Sequence, residues 1–121
     1  MGTRLYPKTR NIAILEKLAG VPAGTNEVLK ELEAKRDSMD PRDYYDFLAK
    51  HPNADILDGF CVFGWGKLNS EQWIIAKELL GPDECWNGSL TNPVDVERML
   101  AGKHCSLNGV SIQELEGVCW G

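Results

Sequence analysis

Four cysteines and two histidines are the residues of this chain whose chemistry reaches furthest beyond packing. Cys61, Cys85, Cys105 and Cys119 are separated by 24, 20 and 14 residues. A zinc site needs thiolates that converge tetrahedrally, most often with one close pair of the C-x2-C kind. No such pair occurs, so the cysteines are expected to be free thiols that pack as small hydrophobes. Neither a metal nor a cofactor is expected. His104-Cys105 places a thiol beside a base, the minimum for nucleophilic catalysis. Catalytic Cys/His pairs, however, usually come from distant positions and meet in space. His51, just before Pro52, is the alternative base. A thiol or metal-dependent enzyme using Cys105 and His104 is therefore an alternative reading, and no catalytic residue is assigned.

The remaining chemical motifs fail on spacing. Gly64-Trp65-Gly66-Lys67 resembles a fragment of a phosphate loop. That loop needs a glycine four residues before its Gly-Lys and a Ser or Thr after it. Cys61 and Leu68 occupy those positions. Asp55 and Asp58, and the pair Asp83-Glu84, are acids without a specified geometry, expected as solvated loop residues. The tryptophans stand out more. Trp65, Trp86 and Trp120 each lie within a few residues of a cysteine and beside or one residue from a glycine. A tryptophan in a glycine-containing loop is either a contact anchor for a partner or a loop pinned to the core. These three are the candidate partner-binding residues.

Charge narrows the partners. The net charge is −5, unevenly distributed. Residues 1–50 hold nine Lys/Arg and eight Asp/Glu, a net +1; residues 51–121 hold four and ten, a net −6. An acidic surface repels phosphate backbones, so nucleic acid is a disfavoured partner. The opening Met-Gly-Thr-Arg-Leu-Tyr-Pro-Lys has no apolar signal region, and Tyr6 breaks the myristoylation pattern. No apolar run approaches the roughly 18 residues that a membrane span needs. The expected setting is the cytoplasm, where thiols stay reduced.

Caps and periodicity give the elements that must position these residues. A helix is expected from about Asn11 to Ala19, closed by Gly20, and a second from the cap Thr25 to about Arg36. Asp40-Pro41 opens a third, ended by His51-Pro52. Ser70 caps a fourth, to about Leu80. Its apolar residues Trp73, Ile74, Ile75, Ala76, Leu79 and Leu80 cover most of the circumference, which predicts a central helix contacted on several sides. Asn92-Pro93 opens a fifth, through Leu100. Ser111 to Glu114 forms a capping box for a short sixth, to about Glu116. The densest apolar run, Ile56 to Leu68, satisfies both helical and strand spacing. Thr3 to Tyr6 and Val118 to Trp120 are the other strand candidates. The fold expected is therefore mainly α: one globular domain over 1–121, an irregular bundle of about six short helices. Any β element is small, around residues 60–65 and the termini.

Leu18-Ala19-Gly20-Val21-Pro22-Ala23-Gly24-Thr25 resembles the turn of a helix-turn-helix in lactose-repressor-type regulators. The resemblance implies a DNA-binding regulator using residues 11–36, with Arg4, Lys8, Arg10, Lys17 and Arg36 available to phosphates. It departs at two core positions, filled here by Glu16 and Asn26. The implied recognition helix also presents Glu27, Glu31 and Glu33 to a polyanion.

The reading preferred to these alternatives is a small interaction or regulatory protein without catalytic activity. It would act on another protein as inhibitor, adaptor or assembly subunit, or as a homo-oligomer. Native mass spectra recorded beside denaturing ones are expected to show the bare chain with four free thiols; a zinc mass lost on denaturation would instead favour the metal readings.

Overall fold

The structure, a computed structural model, describes residues 3–52, 66–101 and 106–121. These fall into two compact units. One takes its described residues from both ends of the chain, 3–9, 66–101 and 106–121; the other is continuous, 10–52.

The first unit holds a four-stranded antiparallel sheet. Its strands are β1 (Arg4–Pro7), β2 (Gly66–Lys67), β3 (Gly88–Leu90) and β4 (Val118–Trp120), in the order β2-β1-β4-β3. The termini pair as expected, with Leu5 opposite Trp120, Tyr6 opposite Cys119 and Pro7 opposite Val118. Ser89 lies opposite Cys119 from the other side. Since side chains alternate along a strand, Leu5, Pro7, Leu90, Val118 and Trp120 share one face, and all are buried. Arg4, Tyr6, Lys67, Ser89 and Cys119 share the opposite face. Lys8 joins that face, where its Nζ donates to Ser89 Oγ at 2.7 Å.

Expectation and structure differ here. The fold is mixed α/β rather than purely helical, and the sheet takes residues 66–67, from the run that fits either helix or strand, and 88–90, where no strand is expected. Both strands are very short and contain glycine, so they carry no periodicity; pairing with β1 and β4 is what makes them strands. Residues 60–65 lie outside the described residues.

Five α-helices occur among the described residues: α1 (Ile12–Ala19), α2 (Thr25–Ala34), α3 (Pro41–Lys50), α4 (Ser70–Leu80) and α5 (Pro93–Leu100). Asn11, Asp40 and Asn92 cap α1, α3 and α5 through their side chains. Gly20 closes α1 with φ 75°. The expected sixth helix is only a 3-10 turn, Gln113–Leu115. Ser111 and Glu114 do exchange the two capping-box bonds. Helix growth then stops because Glu116 and Gly117 both take positive φ and turn the chain into β4. A Cβ on Gly117 would collide with the Leu90 carbonyl, so only glycine fits this corner.

The second unit packs α1 on α2 and α2 on α3, with a 3-10 turn, Arg36–Ser38, between the last two. Leu29 and Tyr44 form its buried cluster, edged by Leu32, Met39, Phe47 and Leu48. The Arg36 guanidinium lies 5.0 Å from the Tyr44 ring centroid, a cation–π contact. The two residues that break the helix-turn-helix pattern prove to be core positions after all. Glu16 is 4% exposed and Asn26 2%. The cap position of α2 is Gly24, which has no side chain to offer. Glu16 substitutes for it from the neighbouring helix, accepting the backbone N–H groups of Gly24 at 3.3 Å and Asn26 at 3.0 Å. A carboxylate at a helix N-terminus meets both the free donors and the positive end of the dipole.

Glu16→Ala leaves those donors without their acceptor. It is expected to cost about 1–3 kcal/mol in urea unfolding, with faster hydrogen exchange at the Gly24 and Asn26 amides. Unchanged exchange there would mean that the carboxylate does not hold the turn.

Candidate functional site

The candidate site is a half-open cleft of about 510 Å³ in the first unit. One wall is a stripe of α4. Ser70, Trp73, Ile74 and Lys77 follow one another at three- and four-residue spacing, so they lie on one side of the helix. The facing wall is Cys85 and Trp86, from the loop between α4 and β3. Lys67 and Leu68 at the end of β2, with Thr3 ahead of β1, close the remaining side.

The orientation of α4 follows from the residues on its other side. Gln72 is fully buried, and both polar atoms of its side chain have partners. Its backbone N–H donates to Asn69 Oδ1 and its Oε1 accepts the Asn69 N–H, both at 2.9 Å, completing a capping box. Its Nε2 donates to the Met99 carbonyl on α5 at 3.0 Å. Ala76, one turn on, is also buried. The Gln72–Ala76 side therefore turns into the unit, and the Trp73–Lys77 stripe turns outward. The expectation of a helix contacted on several sides is corrected: Ile74 remains 65% exposed. The breadth of the apolar pattern reflects two different surfaces, a core side and a cleft side.

Trp86 is 69% exposed. Its ring lies 5.2 Å from that of Trp73, at an interplanar angle of 59°. This tilted aromatic pair fixes an exposed indole in place. Cys85, the residue before it, is buried and free, with Sγ donating to the Pro82 carbonyl at 3.1 Å. Among the described residues no His, Asp or Glu lines the cleft beside that thiol. The cleft thus offers a surface with apolar and cationic character.

Of the three tryptophans singled out by sequence, Trp86 lies at this cleft. Trp120 does not. It is 3% exposed, and its indole N–H donates to the Cys85 carbonyl at 2.9 Å, so it packs in the core and leaves the contact surface. That bond does serve the site indirectly, since it anchors the loop that presents Trp86. Trp65 lies outside the described residues. Trp73 was read only as a core residue of its helix, and its role at the cleft was missed. Its three-residue spacing from Ser70 and four-residue spacing to Lys77 were the available signal.

Among the described residues no three His, Cys, Asp or Glu side chains gather as a ligand set. Cys61, Cys105 and His104 lie outside them. His51 ends α3, its ring tilted at 50° to that of Phe47 with centroids 4.9 Å apart. Among the described residues no helix is long and apolar enough to cross a membrane.

Set against known proteins, the chain matches no family model, no curated protein and no solved structure at a significant level.

Coupled indoles at this distance should give an exciton couplet in the circular dichroism spectrum. Trp86→Ala and Trp73→Ala are each expected to abolish it. Because Trp86 is exposed, its substitution should leave stability within about 0.5 kcal/mol. A couplet that survives Trp86→Ala would mean that the pair does not form in solution.

Proposed function

We propose that this protein acts by contact, binding another protein through the Trp73–Trp86 cleft rather than catalysing a reaction, in a cytoplasmic setting. The observation that carries the reading is the exposure of Trp86 beside exposed Ile74. Clustered exposed hydrophobes mark interaction sites, and tryptophan is among the residues that most often dominate binding energy. The ring contact with Trp73 adds to this. A side chain already held in one orientation loses less freedom on binding.

The alternative of a DNA-binding regulator finds less support. The exposed residues of α2 include Glu27, Glu31 and Glu33, with Lys30 the lone base among them. That face suits solvent better than a polyanion.

A photo-crosslinking amino acid in place of Ile74 tests the reading directly. In cell extract it is expected to yield discrete protein adducts that disappear when Trp86→Ala is added. The same reagent in place of Glu97, exposed on α5, should yield none. Equal adducts from both positions, or adducts indifferent to Trp86, would remove the cleft as a contact site.

A further inference from the structure

The cleft carries a charge pattern opposite to that of the chain around it. Residues 51–121 hold only four Lys/Arg against ten Asp/Glu. Two of those four, Lys67 and Lys77, line the cleft, and among the described residues no acidic one does. Arg98, a third, is paired with Glu78 at 2.9 Å. Among the described residues neither Lys67 nor Lys77 has a carboxylate within ion-pair distance.

The sheet sets a further cation beside Lys67, on the neighbouring inner strand. Arg4 lies directly opposite Lys67. The Leu68 N–H donates to the Thr3 carbonyl at 3.0 Å, so Thr3–Leu68 is a hydrogen-bonded pair. Its neighbour Arg4–Lys67 is then a non-hydrogen-bonded pair, the kind whose side chains lie closer together. Like charges directly opposite each other destabilise a sheet. A local cost of this kind points to a use elsewhere.

We infer that the cleft receives an acidic segment of a partner protein, with one large apolar side chain on Trp73, Trp86 and Ile74 and carboxylates on Lys77 and on the Lys67–Arg4 pair. This rests on the proposed reading of the cleft as a protein contact site, and adds the chemistry of what enters it. The apolar wall demands an anchor, and the two lysines that line the cleft demand negative charge. A long polyanion or an anionic membrane would also meet the surrounding net negative surface. A short acidic peptide meets only the local cations, which is why the occupant is a protein segment. Association of this kind is weakened by salt.

The test uses a short fluorescein-labelled peptide with a central Leu-Phe pair flanked by glutamates, read by fluorescence anisotropy. Controls are the same centre flanked by lysines and a Ser-Ser centre flanked by glutamates. The full chain is expected to bind only the first, more weakly as salt rises. Lys77→Glu should weaken that binding about tenfold or more, one decade per 1.4 kcal/mol, and transfer preference to the lysine-flanked peptide. Retention of the exciton couplet shows that the variant is folded. Equal binding of glutamate- and lysine-flanked peptides would overturn the inference while leaving the contact site intact. Failure of every peptide would also overturn it, and the crosslink from position 74 would then decide the contact reading separately. A crosslink there to a second copy of this chain, with no peptide bound, would replace the acidic segment by a homotypic contact.

Discussion

The cleft depends on one buried amide. Gln72 has no solvent to turn to, so each of its polar atoms must find a protein partner or cost about 1–3 kcal/mol. Its partners lie in fixed places, the start of its own helix and the Met99 carbonyl of α5. Rotating α4 about its axis would break the second bond while keeping the first. The amide therefore sets which stripe of α4 faces inward. Trp73, Ile74 and Lys77 face the cleft because Gln72 and Ala76 do not.

The second unit solves a related problem by similar means. Glycine at the cap of α2 leaves the first amides of that helix without a local acceptor, and Glu16 reaches across from α1 to supply one. In both units, a buried polar side chain couples a helix start to a neighbouring helix. Hydrophobic contact is nondirectional, whereas these bonds are satisfied in one relative arrangement only. They trade some desolvation for a defined geometry, and in the first unit that geometry sets half-buried Trp73 against exposed Trp86.

Much of the helical structure was legible because caps are local chemistry. Asn11, Asp40-Pro41, Asn92-Pro93 and the Ser111–Glu114 box each announced a helix start within a few residues. The sheet was only half legible. Its terminal strands carry apolar residues in alternation, but Gly66-Lys67 and Gly88-Ser89-Leu90 become strands through partners far away in sequence. The same limit explains Trp120. Its place one position from Cys119 and two from Val118 puts it on the inward face once β4 is known to be a strand. A strand candidate without its partners does not tell which face is buried, so from sequence Trp120 is indistinguishable from an anchor. Trp86 stands out in the sequence because it lies beside Cys85 and close to Gly88, in a loop. Its partner Trp73 does not, since an apolar face of a helix reads alike whether it meets a core or a cleft.

The pairing of β1 with β4 has a consequence for how the chain becomes a protein. Leu5 and Trp120 are neighbours in space, yet almost the whole chain separates them. During synthesis β1 emerges first and waits for its central partner until the last strand has been made. Contacts of such long sequence separation fold slowly, because the loop between them must be closed before the pairing is gained. The second unit, continuous over 10–52 among the described residues, has its own local contacts and can form during that interval. The order of translation thus favours helices first and sheet last. The buried face of β1, with Leu5 and Pro7, would stay uncovered for longest, which makes it the segment of the nascent chain most exposed to misassociation.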